Sequence, residues 1–82
     1  MDGKLVLNGE LTILQAKRVK GSVGEPVLRD LFGTMHSCGA KNGVVVTTGR
    51  VSKQAREWIE AKPIRIIELD ELVRLILSLI HI

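Results

Sequence analysis

The sequence predicts an α/β domain, a mixed β-sheet flanked by helices in the order β-β-α-β-α-β-α. Three observations predict it. Asn8-Gly9 stands between the apolar runs Leu5-Val6-Leu7 and Leu11-Thr12-Ile13-Leu14, the strongest short signal for a two-residue hairpin turn, because both turn residues must take positive φ. Gly43 to Thr48 is a run of mainly β-branched residues with almost no polar alternation, as expected of a strand buried on both faces. Two stretches opened by Pro26 and Ser52 carry apolar residues at helical spacing.

The elements follow in order. Residues 4–7 and 10–18 form the hairpin. With Asn8 and Gly9 as its loop, Leu7 faces Glu10, Val6 faces Leu11, Lys4 faces Ile13 and Asp2 faces Gln15. Opposed residues share a face with Cβ atoms about 5 Å apart, and a slip of one residue would turn every side chain over. Val19 to Glu25, with Lys20, Gly21, Ser22 and Gly24, reads as a mobile loop. Pro26 suits the first turn of a helix. Val27, Leu28, Leu31, Phe32 and Met35 form its apolar stripe, and Gly39 suits the position that ends it. After the strand at Gly43–Thr48, Gly49 breaks the pattern. Ser52 caps a helix with Ala55, Trp58 and Ile59 inward, and Pro63 stops it. Arg65 to Leu69 is a further strand. Asp70 caps a last helix with Leu72, Val73 and Ile76 inward. Strands alternating with helices imply right-handed crossovers.

Size and composition narrow the function. At 82 residues the chain makes one small domain that buries only about 60–65% of its unfolded surface. Hydrophobic residues at 45% argue for a folded core. Phe32 and Trp58 are the only aromatics, too few for a base-stacking surface of the kind that binds single strands. A net charge of +3 and a pI near 9.4 suit a polyanionic partner. Cys38 is the single cysteine, so no disulfide framework or cysteine metal site is expected, and a reducing cytoplasm is the default. His36 and His81 are too scattered for a zinc site. No signal peptide is evident. The apolar run Leu75 to Ile82 is too short to span a bilayer.

The chemistry centres on the second strand. Residues two apart on a strand share a face, so Gln15 and Lys17 point the same way, and the hairpin register brings Asp2 beside them. A carboxylate and an amide oxygen are hard ligands suited to Mg²⁺, and a neighbouring ammonium can orient water or stabilise charge on a phosphate. Arg18, Lys20, Arg50, Lys53 and Arg56 are candidates for a phosphate-contacting rim, as are Thr47 and Thr48 at the end of a central strand. Glu25 is a weaker candidate for an extra acid. Against these stand plain readings: a solvated chain end for Asp2, a polar strand end for Gln15 and Lys17, an ordinary basic surface for the rim, and strand closure for the threonines.

The segments Gln15-Ala16-Lys17-Arg18, Val23-Gly24-Glu25-Pro26, Asp30-Leu31-Phe32-Gly33, Gly43-Val44-Val45-Val46-Thr47-Thr48 and Ile67-Glu68-Leu69-Asp70-Glu71-Leu72, in that order, resemble the catalytic domain of Mrr-type restriction endonucleases, within the Asp…(Glu/Gln)-x-Lys nuclease superfamily. The resemblance runs from about Asp2 to about Leu75. It implies a restriction-endonuclease-like core and a Mg²⁺-dependent endonuclease acting on double-stranded DNA in restriction of foreign or modified DNA. Asp2, Gln15 and Lys17 become the catalytic residues, with Asp2 and Gln15 the metal ligands. Arg18, Lys20, Arg50 and Lys53 become DNA contacts. Gln at the second position is an accepted variant that removes one negative charge.

The family has a helix and a Gly/Asp-rich lead-in before the Asp, so the expectation is a partial catalytic domain over residues 1–75, truncated at its amino end, with target choice in a separate recognition domain. A homo-oligomer is compatible with it. Residues 76–82 are expected to be an apolar tail outside the domain, which either lies against a partner surface or is not native; Ser-Leu-Ile-His-Ile at its end resembles translated adapter sequence. The alternative function is an inactive or fragmentary nuclease-fold module that binds DNA or a partner without cleaving.

Overall fold

A computed structural model describes residues 2–80, with the side chains of Asp2 and Leu7 outside that description. His81, assigned above to the tail, lies outside the described residues.

The hairpin forms in the expected register. Strands β1 (Asp2–Leu7) and β2 (Glu10–Lys17) pair antiparallel, with Asp2 opposite Gln15, Lys4 opposite Ile13 and Leu7 opposite Glu10. Asn8 has φ 53° and Gly9 φ 80°, the left-handed conformations that a type I′ turn demands. Strands β4 (Asn42–Thr47) and β6 (Ile64–Glu68) extend the sheet in parallel, giving the order β1-β2-β4-β6.

The stretch Val19 to Glu25 is not simply a loop. Ser22–Val23 forms a short strand, β3, parallel to β5 (Arg50–Val51). Val23 is fully buried. Arg50 N–H donates to Gly21 O at 2.9 Å and Ser52 N–H to Val23 O at 3.1 Å, so the segments following β2 and β4 hold each other.

Helix α1 (Glu25–Cys38) carries Pro in its first turn and ends at Gly39 in the left-handed conformation, as expected. It buries Leu28, Leu31 and Met35 against β2 and β4, while Phe32 and Val27 are half-buried. Gly43 lets α1 come close, because a Cβ there would lie 2.7 Å from Met35 Sδ and 3.1 Å from Leu31 Cδ2. Helix α2 (Lys53–Ile59) is capped by Ser52, whose hydroxyl accepts from Ala55 N–H, and it ends before Pro63. Phe32 and Trp58 meet edge-on at 5.8 Å, and Lys62 Nζ sits 4.0 Å over the Trp58 ring. Trp58 is therefore a packing residue. Its lysine contact is a cation–π pair.

Two expectations about burial need correction. Strand β4 is buried on one face only: Gly43, Val45 and Thr47 are buried, and Val44 and Val46 are half-buried. The core lies between the sheet and α1 with α2. Helix α3 (Leu69–Ile80) starts one residue before Asp70 and runs without a break through residue 76. None of its residues is buried, and Val73 and Ile76, expected to point inward, are 46% and 49% exposed. No helix among the described residues is long and apolar enough to cross a membrane.

Candidate active site

Strand β2 positions the proposed chemistry. Alternation along it, with pairing to β4 on one side and β1 on the other, defines rows across the sheet. The row Asp2–Gln15–Val45–Ile66 lies beside the row Lys17–Thr47–Glu68. Both rows belong to the face covered by α1, because Val45 and Ile66 are core residues on it.

Gln15 is 6% exposed, and its Oε1 is shielded from solvent and has no hydrogen-bond partner among the described residues. An unsatisfied buried amide oxygen costs about 1–3 kcal/mol, so it calls for a donor or a cation. Gln15 lines a cavity of about 260 Å³ between the hairpin and α1, together with Gly3, Lys4, Ile13, Asp30 and Thr34. Asp2 is opposite Gln15 in the backbone ladder; the role assigned to its carboxylate falls outside the described side chains.

Lys17 is half-buried at the end of β2, two residues from Gln15 as expected. It lines a different depression, with Ala16, Arg18, Val46, Thr47, Thr48 and Leu69. The strand thus places Gln15 at the buried base of a partly open cavity and Lys17 in a separate depression at the strand's end.

The other candidates divide. Arg18 and Lys20 are exposed just past β2. Arg50 is exposed and shares a depression with Thr48, Gly49, Glu68, Leu69 and Asp70, which adds two carboxylates near its guanidinium. Lys53, almost fully exposed, faces Glu57 at 4.0 Å, a surface pair that holds it weakly. Arg56 is paired with Glu68 at 2.8 Å, and Glu25 with Arg29 at 2.9 Å, so a ligand at either would compete with a surface ion pair. Thr47 Oγ1 accepts from Gly49 N–H at 3.0 Å, and Thr48 Oγ1 bonds both backbone groups of Val19. The two threonines close the turn after β4, the plainer of their two readings.

The residues fit a hard divalent cation in one respect: Gln15 offers a buried oxygen that has no partner among the described residues. No cluster of three or more His, Cys, Asp or Glu that could hold a metal occurs among the described residues. Sequence reasoning assigned no role to Asp30, which lines the Gln15 cavity from α1. The available signal was its spacing, since Asp30 and Thr34 are four apart and adjoin the buried Leu31 and Met35.

Comparisons with known proteins agree with this architecture. The Mrr catalytic-domain family, described as a restriction endonuclease, matches residues 1–76. The chain is 36% identical over 52 residues to the type IV methyl-directed restriction enzyme EcoKMrr of Escherichia coli (strain K12), an alignment covering 63% of this chain and 17% of that protein. The structure resembles that of the DNA modification-dependent restriction endonuclease AspBHI, with a TM-score of 0.75 and 21% identity, over 95% of this chain and 22% of the other. That second likeness is one of fold. The chain therefore spans about a fifth of the length of these proteins. With the family match extending over most of its length, the chain belongs to the Mrr-type restriction endonuclease catalytic-domain family.

Proposed function

We propose that this domain is a Mg²⁺-dependent DNA endonuclease that hydrolyses phosphodiester bonds in duplex DNA, in restriction of foreign or modified DNA in the cytoplasm. One observation carries the reading most: the buried Gln15 Oε1, which has no partner among the described residues, on the residue paired with Asp2 across the hairpin. Asp2 and the Gln15 amide oxygen would hold the metal, which when bound supplies Lewis acidity and neutralises charge on the phosphate. Lys17, at the strand's end, holds the attacking water in line with the scissile bond and stabilises negative charge as it develops on the phosphate oxygens. Arg18 and Lys20, and more distantly Arg50 and Lys53, meet backbone phosphates, which gives affinity and register without reading sequence. The choice of modified target falls to a recognition domain elsewhere in the full-length protein, and a homo-oligomer would let two sites cut two strands.

Supercoiled-plasmid nicking with and without Mg²⁺ tests this. Cleavage is expected with Mg²⁺, none with chelator, and none from Asp2→Ala. Equal cleavage by the wild type and Asp2→Ala would overturn the assignment.

A second reading has its own support. Because Gln15 and Lys17 line separate depressions, the domain could serve as a folded module that binds DNA without cutting it. Salt-dependent duplex binding with no Mg²⁺-dependent cleavage would select that reading.

A further inference from the structure

The proposed metal site is short of charge. Asp2 brings one negative charge and Gln15 a neutral amide, whereas affinity for hard cations rises with the number of charged oxygen ligands. The cavity beside Gln15 contains a second acid. Asp30 stands on α1 over the hairpin and lines the same 260 Å³ space as Gln15, Ile13, Gly3, Lys4 and Thr34. Its carboxylate makes no ion pair or side-chain hydrogen bond among the described residues, in contrast to Glu25 one turn earlier, which is held by Arg29. The Thr34 hydroxyl donates to Asp30 O at 3.1 Å, which orients its oxygen lone pairs away from that carbonyl. Among the described residues, the inner wall of this cavity therefore presents a buried amide oxygen without a partner, and its helical wall presents an exposed carboxylate that makes no ion pair.

We infer that Asp30 is a further ligand for the divalent cation, directly or through a bound water, and supplies the negative charge that Gln15 lacks. This rests on the metal reading given above. It assigns α1 a task besides covering the core: the helix that buries Leu31 and Met35 also carries the third oxygen donor over the sheet. Lys4 is the one cation in the cavity. It is exposed, and its long stem lets the ammonium extend into water and away from a bound ion.

The test is Mn²⁺ binding to the 82-residue chain without DNA, followed by loss of the free-ion electron paramagnetic resonance signal. Circular dichroism confirms that each variant is folded. Asp30→Asn is expected to weaken binding by about tenfold or more, within the range seen when a supporting group at a metal site is removed. Asp30→Glu is expected to restore most of the affinity, and Lys4→Met to leave it unchanged or tighter. Wild-type affinity in Asp30→Asn, alongside lost affinity in Asp2→Asn, would overturn this inference and leave the metal reading intact. Mn²⁺ binding that is absent from the wild type, or that survives Asp2→Asn, would overturn both.

Discussion

The two faces of the four-stranded sheet differ sharply. The face under α1 is closed: Ile13, Gln15, Val45 and Ile66 are buried there beneath Leu28, Leu31 and Met35. On the other face Leu14, Val44, Val46 and Ile67 are half-buried and Leu5 is 44% exposed, and the strongly amphipathic α3, which follows β6, buries no residue. Thr12 is an exception on that side, almost fully enclosed with its hydroxyl unpartnered. The proposed chemistry belongs to the closed face. A packed wall is what a polar side chain needs in order to be held in one geometry, and Gln15 has such a wall beneath α1.

Substitutions on the two faces should separate accordingly. The largest effect is expected at Lys17, where Lys17→Ala should lower single-turnover DNA cleavage by about 100-fold or more with little change in melting temperature. Residual cleavage within a few-fold of wild type would remove Lys17 from the mechanism. Next comes the core of the closed face. Leu31→Ala should cost about 2–5 kcal/mol in urea unfolding, and a loss below about 1 kcal/mol would mean that α1 is not the main lid. Gly43→Ala should cost about 1–3 kcal/mol through overpacking against Met35 and Leu31, and Met35→Ala in the same chain should relieve part of that. The smallest effect belongs to α3. Leu79→Ser, at a residue 76% exposed, should change stability by no more than about 0.5 kcal/mol, and a larger loss would show that α3 has a buried role.

The sequence was most legible where local chemistry decides the backbone. Asn8-Gly9 determined the hairpin register, and with it the pairing of Asp2 with Gln15, because few other residues accept φ near +53° and +80° in succession. Gly39 and Ser52 marked helix ends by the same kind of local logic. What could not be read depended on distant partners. Strands β3 and β5, two residues each, are too short to show a period and exist only because their parent segments lie side by side. An apolar run from Gly43 to Thr48 cannot tell a strand covered twice from one covered once. The apolar stripe of α3 shows which side would be buried, but not that anything buries it. At the site, the residue types and spacing of Gln15 and Lys17 were visible, but their division between two separate depressions was not, since it depends on where α1 and the turn after β4 come to rest. Asp30 was invisible for the same reason: a polar residue on a helix acquires a role only from what the helix covers.

The central claim is that the orphaned oxygen of Gln15 faces a divalent cation. Thermal unfolding of Gln15→Glu with and without Mg²⁺ tests it most directly, because a carboxylate at this buried position is costly alone and favourable beside a cation. The variant is expected to be less stable than wild type in chelator and to be raised by Mg²⁺ by about 4–8 °C for each kcal/mol of added binding, more than the wild type is raised. A Mg²⁺ response no larger than that of the wild type would contradict it.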